Sequence, residues 1–220
     1  MKIAILGSTG FVGRVVLQKV LDKGYQVKTL VRNPEKLDEL KEKVEFVQGS
    51  VTQSDKLEKT VFGTEVVIST IGPPMKNPGD PESYKKSMED LVTILKKQNV
   101  KRYIHIGGAA HLGGENENWT IGRRILRMIL KLIAKPVLIA KQMEWEVLKK
   151  SGLDWTLVRP PGIMKEIFKG KGVIADEKNL SRTKVNVEDL ANFIVEQINS
   201  RSWIKKAPLV AAEFKKIQPI

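Results

Sequence analysis

An α/β fold built on a doubly wound parallel sheet is what this sequence predicts, and three observations carry that expectation. The first is the run Gly7-Ser8-Thr9-Gly10-Phe11-Val12-Gly13, set between a short apolar stretch and a stretch with helical apolar spacing. The second is the alternation of strand-like and helix-like segments over the first half, at the spacing of βαβ units. The third is composition. At 220 residues and 41% apolar content, the chain is long enough for one well-buried domain and ordinary for a globular protein.

Lys2-Ile3-Ala4-Ile5-Leu6 reads as strand one, and Arg14 to Leu21 as the helix after the glycine turn. Such a helix begins with free N–H groups pointing outward and a dipole that favours negative charge, so a strand–glycine–helix unit is a phosphate site. Gly7 permits the tight turn, Gly10 lets a pyrophosphate approach the backbone, and Gly13 lets the helix pack closely on the strand. That context makes the sheet Rossmann-type. Gly24 ends the first helix. Gln26 to Val31 is strand two, Val44 to Gln48 strand three, Ser54 to Val61 a short helix, and Glu65 to Thr70 strand four. A loop rich in Pro, Gly and Asn leads to a helix from Tyr84 to Asn99, and Arg102 to Ile106 is strand five. A helix from about Lys141 to Lys150, strand six from Trp155 to Arg159, a helix from Val187 to about Asn199 and a closing strand at Pro208-Leu209-Val210-Ala211 complete the reading.

Ligands of such sheets lie outside the carboxyl ends of the strands, where strand order reverses. Gly7–Gly13, Arg32, Thr70–Pro74, Gly107–His111 and Pro160–Ile163 should therefore line one crevice. The expected cofactor contacts are Gly7, Ser8, Thr9, Gly10, Phe11, Val12, Gly13, Arg32, Ser50, Val51, Thr70, Ile71, Gly72, Gly107, Gly108, Lys141, Pro160 and Pro161. At the end of strand two, where an NAD site usually has an acid for the ribose hydroxyls, the chain reads Leu30-Val31-Arg32-Asn33. A guanidinium there pairs instead with a 2′-phosphate, so NADP(H) is expected first and NAD(H) second, with Arg14 and Lys36 adding to the same patch.

Composition narrows the rest. The chain has no cysteine, which removes disulfides, thiolate nucleophiles and zinc–thiolate sites and fits a cytoplasmic protein. Strand one begins at once, leaving no room for a signal peptide, and no apolar run approaches the ~20 residues of a membrane span. The net charge of +13 comes from lysines scattered along the whole sequence and reads as a solvated surface that favours anionic ligands. No nucleic-acid module or aromatic cluster accompanies it, so no nucleic acid is expected.

The sequence resembles the atypical short-chain dehydrogenase/reductases, in their NAD(P)H-binding subgroup of NmrA-like proteins, NADH-flavin reductases and biliverdin-IXβ reductases. Five stretches carry the likeness: Gly7–Gly13, Leu30-Val31-Arg32-Asn33-Pro34, Val137-Leu138-Ile139-Ala140-Lys141, Ser151–Pro160 and Val187-Glu188-Asp189-Leu190-Ala191. They span nearly the whole chain in family order. The resemblance implies a single NAD(P)-binding domain over 1–220, with substrate-side elements at about 107–136 and 160–186. It also implies that Lys141 binds the nicotinamide ribose.

Three departures follow. The Tyr-x-x-x-Lys pair of the superfamily reads Val137-x-x-x-Lys141, the serine after strand five falls in Gly107-Gly108-Ala109-Ala110, and the usual Gly-Asp after strand three is Gly49-Ser50. Without the tyrosine, alcohol dehydrogenation and sugar epimerisation are disfavoured. Hydride transfer to an electrophilic conjugated acceptor remains, because its proton can come from solvent.

The candidate catalytic residues are Lys141 and His111, the second a loop histidine near the expected nicotinamide end. His105 alternates with Ile104 and Ile106 and is expected to be structural. Between 123 and 135, at about 100° per residue, Arg123, Arg124, Arg127, Lys131 and Lys135 fall on one side. Ile125, Leu126, Met128, Ile129, Leu130, Leu132 and Ile133 fall on the other, and Pro136 stops the segment. A helix packed over the substrate end with its basic face in solvent ranks first; a dimer face and membrane contact rank behind it. The leading function is an NADPH-dependent reductase of a small-molecule acceptor, with FMN or FAD as substrate, acting as a monomer or homodimer. The alternative is a non-catalytic NmrA-like NADP(H) redox sensor working through a protein partner.

Overall fold

The apolar run at the start of the chain forms β1 (Lys2–Leu6), and its period-two alternation divides the molecule into two faces. Ile3 and Ile5 enter one buried cluster, with Val16, Leu17 and Val20 of α1 (Phe11–Asp22) and Leu190 and Ile194 of α5 (Val187–Glu196). Ala4 and Leu6 enter the other, with Leu57 of α2 (Ser54–Val61), Leu91 and Leu95 of α3 (Pro81–Lys97) and Leu148 of α4 (Lys135–Lys150). Helices on both faces are why the strands read as nearly continuous apolar runs. The computed structural model describes residues 1–73, 79–108, 125, 128–129, 132, 134–165, 173–177 and 184–212.

β1 pairs in parallel with β2 (Gln26–Val31) and with β4 (Val66–Ser69). β3 (Glu45–Gln48) extends one side, and β5 (Arg102–Ile106) and β6 (Asp154–Val158) extend the other, all parallel. The order β3-β2-β1-β4-β5-β6 reverses between β1 and β4, and that switch point sets where a ligand crevice opens.

Four local outcomes differ from expectation. α3 starts at Pro81, not Tyr84, because the Asp80 carboxylate accepts from the N–H groups of Glu82 (3.4 Å) and Ser83 (3.0 Å). α4 starts at Lys135, not near Lys141. Pro136, expected to stop a helix, lies in its first turn, where a missing N–H costs nothing. A 3-10 segment at Pro34–Lys43, which the sequence pattern did not announce, is capped by the Asn33 side chain and breaks at Asp38 (φ 48°). The closing strand β10 (Leu209–Ala212) forms, but beyond its parallel contact with the end of β6, where Arg159 N–H donates to the Pro208 carbonyl (2.9 Å) and Val210 N–H to that of Arg159 (3.2 Å), it pairs antiparallel with β8 (Val173–Asp176). β7 (Ile163–Met164) and β9 (Val185–Asn186) make a second short pair.

Among the described residues no helix is long and apolar enough to cross a membrane. Of the 123–135 segment, Ile125, Met128, Ile129 and Leu132 are helical and 50%, 60%, 45% and 81% exposed. That arc of the apolar face is exposed on this chain. Ala134, the residue before α4, leaves helical geometry (φ −141°, ψ 34°). Arg123, Arg124, Arg127 and Lys131 lie outside the described residues.

Candidate functional site

The glycine turn is built for close approach. Gly7 has φ +86°, a conformation that favours glycine, and its carbonyl accepts the Gly10 N–H at 3.0 Å. Thr70, just beyond β4, braces the turn: its hydroxyl lies 3.2 Å from the Leu6 carbonyl and 3.1 Å from that of Gly7. A Cβ on Gly13 would overlap the Gly7 carbonyl oxygen and stand 2.7 Å from Thr70 Oγ1, so helix and strand meet with no room for a side chain.

The N-terminus of α1 carries no side-chain cap and no acid in its first turn. Among the described residues, the N–H groups of Phe11, Val12 and Gly13 have no acceptor. Three free donors on the positive end of a helix dipole fit a pyrophosphate. Ser8 does not contribute its side chain: it is 1% exposed and hydrogen-bonds Thr29 Oγ1 at 2.7 Å. The Thr29 proton is already given to the Ile5 carbonyl, so the Ser8 hydroxyl must donate inward. Phe11 is 52% exposed beside the turn, Thr9 is half-buried, and Val12 packs against the α1–α5 cluster.

At the end of β2 the Arg32 side chain is exposed and, among the described residues, has no partner. Arg14 behaves otherwise than expected. Its guanidinium donates to the Lys36 carbonyl (2.9 Å) and pairs with Asp38 (3.0 Å) and Glu39 (3.0 Å). The 3-10 segment folds back against α1 and supplies those carboxylates, which leaves Arg32 and Lys36 as the cations of the patch whose side chains have no partner among the described residues. Ser50 gives its N–H to Gln53 Oε1 at 2.8 Å, and Val51 packs on the α2–α3 cluster, so both serve the turn after β3.

Lys141 and Gly72, far apart in sequence, are brought together: Nζ lies 3.2 Å from where a Cβ on Gly72 would stand. The same ammonium donates to Glu144 Oε2 at 2.9 Å. Tyr84 of α3 donates to that oxygen at 2.7 Å, and His105 Nε2 lies 3.0 Å from it, close but off the line of the ring N–H. On the other side of the ring, Nδ1 lies 2.9 Å from the Tyr103 hydroxyl. His105 and Glu144 are wholly buried and Lys141 is 8% exposed.

Burial works to raise the Glu144 carboxyl, but the Lys141 ammonium, His105 and the Tyr84 hydroxyl outweigh it and hold it well below the usual range. Burial pushes the Tyr84 phenol up, and Glu144 pushes it further. Ile71 and Gly72 follow β4; Gly107 and Gly108 follow β5. A Cβ on Gly107 would meet Leu157 at 2.8 Å, whereas a Cβ on Gly108 would meet nothing within 4 Å among the described residues. After β6, Pro160 is buried and Pro161 half-buried. His111, Pro74, Ala109 and Ala110 lie outside the described residues.

A family of NAD(P)H-binding proteins matches this chain over residues 7–201, from the glycine turn to beyond α5. The chain belongs to that family. Among relatives of this NAD(P)H-binding protein, the photosystem II assembly factor Ycf39 of Cyanophora paradoxa is 29% identical over 173 residues, 76% of this chain and 47% of that protein. The chain spans about half the length of the first such relatives, 47%, 54% and 55%. Among solved structures, ChuY, an anaerobillin reductase from Escherichia coli O157:H7, has a TM-score of 0.78 and 16% identity, with 100% of both chains covered. A wide-type short-chain dehydrogenase/reductase from Veillonella parvula DSM 2008, in complex with NADP, has a TM-score of 0.74 and 19% identity, covering 96% and 94%. These two have the same fold as this chain.

Within this NAD(P)H-binding protein, Val137, four residues before Lys141, is 7% exposed in the first turn of α4. Sequence reasoning missed Glu144 and Tyr84. The first was within reach, as a carboxylate three residues after a lysine on one helix. The second was not: Tyr84 is 60 residues from Glu144, and only the packing of α3 beside α4 joins them.

Proposed function

We propose that this protein is an NADPH-dependent reductase that delivers hydride to a flavin or a similar conjugated acceptor. One observation carries the proposal. Lys141 Nζ reaches Gly72 at the carboxyl end of β4, while the place of the usual proton donor is the apolar, buried Val137. The cofactor-holding side of the family pattern is present and the acid side is not. Bound in the crevice, a reduced nicotinamide supplies the hydride. The free N–H groups of Phe11, Val12 and Gly13 hold the pyrophosphate, Arg32 the 2′-phosphate, and Lys141 the ribose hydroxyls. An oxidised flavin accepts hydride directly, and its accompanying proton comes from water or from His111. The NADP-bound Veillonella neighbour and the reductase among the solved structures support this reading.

Mixing protein, NADPH and FMN and following absorbance at 340 nm tests it: NADPH is oxidised in proportion to enzyme. Tight nucleotide binding with no oxidation of FMN, FAD or a linear tetrapyrrole would leave a nucleotide-sensing module instead. Arg32→Ala should raise the NADPH dissociation constant about tenfold, the worth of a charge-assisted hydrogen bond, with little change for NADH. Equal effects on both nucleotides would remove Arg32 from the phosphate site. His111→Ala lowers turnover at saturating NADPH if its imidazole gives the proton, and leaves turnover unchanged if water does.

A further inference from the structure

Lys141 is not held at the crevice by α4 alone. We propose that Glu144 is a positioning residue, a buried carboxylate that fixes the Lys141 ammonium beneath Gly72 and is itself fixed by Tyr84 and His105. The role in cofactor binding rests on the reading of Lys141 above.

The geometry supports it from three elements. Glu144 Oε2 receives the Lys141 ammonium (2.9 Å) from one turn back along α4 and the Tyr84 hydroxyl (2.7 Å) from the first turns of α3. His105 Nε2 stands at 3.0 Å from β5. A carboxylate wholly removed from water needs a countercharge, and Lys141 supplies the only cation within ion-pair distance among the described residues, apart from His105 when protonated. An ammonium carries three donors and Glu144 takes one. The other two have no partner among the described residues and remain for ribose hydroxyls. Gly72 keeps the approach open, since a Cβ there would stand 3.2 Å from Nζ. Glu144 Oε1 takes no part in the bond to the lysine. It has no partner among the described residues and lies 3.4 Å from where a Cβ on Gly107 would be, so one oxygen does the holding.

The test compares Glu144→Gln, Lys141→Met and the double variant, with exposed Glu146→Gln as a control that should match wild type. Two quantities are read: the NADPH dissociation constant by fluorescence titration, and the acetylation rate of Lys141 by acetic anhydride, followed by peptide mass spectrometry. Glu144→Gln should weaken NADPH binding about tenfold. The double variant should bind no more weakly than Lys141→Met, because Glu144 acts through the lysine. Acetylation of Lys141 should rise about tenfold in Glu144→Gln, since the ammonium is no longer held. If Glu144→Gln fails to fold, Tyr84→Phe removes one bond from the same carboxylate and should raise both readouts about two- to threefold. Unchanged affinity and unchanged acetylation with a lower melting temperature would overturn the proposal, as would additive losses in the double variant. If the wild-type protein binds no NADPH, the cofactor reading fails, and the acetylation comparison still decides whether Glu144 holds Lys141.

Discussion

Gly13 and Glu144 are the two residues on which most of the site's geometry turns, for opposite reasons. Gly13 matters because it has no side chain: a Cβ would overlap the Gly7 carbonyl oxygen and crowd Thr70 Oγ1. Gly13→Ala is expected to cost about 1–3 kcal/mol, the range for overpacking a tight contact, read by urea unfolding, and to weaken nucleotide binding as well. Glu144 matters because it stays ionised while buried. Its carboxyl is held below the ordinary 4.5, so its stabilising contribution is complete above that value. It is lost as pH falls through the lower folded-state value. Urea stability should therefore decline from about pH 5 downward, and decline less steeply in Glu144→Gln. Equal slopes in the two proteins would mean that other carboxylates govern the acid limb. The glycines were legible in the sequence because backbone conformation and close approach demand a particular residue at a particular spacing. The commitment of Arg14 was not, because its partners Asp38 and Glu39 reach it only after the 3-10 segment folds back.

Helix ends show how far local chemistry carries. Ser54–Val61 and Arg102–Ile106 form where apolar spacing and turn residues placed them. The start of α4 was misjudged because a proline both ends helices and opens them, and only the run of the chain distinguishes the two. The start of α5 is set by Asn186, 1% exposed, whose side chain accepts the Glu188 N–H at 2.8 Å. Asn186→Ala should cost about 1 kcal/mol of stability by chemical denaturation, as loss of a capping side chain does. A cost near zero would mean that water replaces the cap. β10 was recognisable as a strand, but its partner β8 was not, because an antiparallel pairing over some thirty residues leaves no local mark.

At the level of the whole molecule, one parallel sheet with helices on both faces sets the carboxyl ends of β1, β2, β4, β5 and β6 on one edge. A nucleotide that binds only the folded chain stabilises it by mass action, about 2.7 kcal/mol at a hundredfold excess over the dissociation constant. For a chain of this size that is a rise of about 5–10 °C in melting temperature with NADPH, and less with NADH at the same concentration. Equal shifts with both would speak against the 2′-phosphate site at Arg32. The charge of +13 should make NADPH affinity fall as salt rises.

The sequence by itself determined the parallel α/β sheet, the glycine turn and the cation at the end of β2. These depend on residue periodicity, on glycine's conformational freedom and on the order of elements along the chain, all of them local. The tertiary structure alone decided that Arg14 is spent on Asp38 and Glu39, and that Lys141 stands beneath Gly72 paired with Glu144, which also meets Tyr84 and His105. Those contacts join side chains that no short-range pattern relates. They exist because burying two faces of one sheet brings α3, α4 and β5 together, and a carboxylate enclosed there must take its partners from all three.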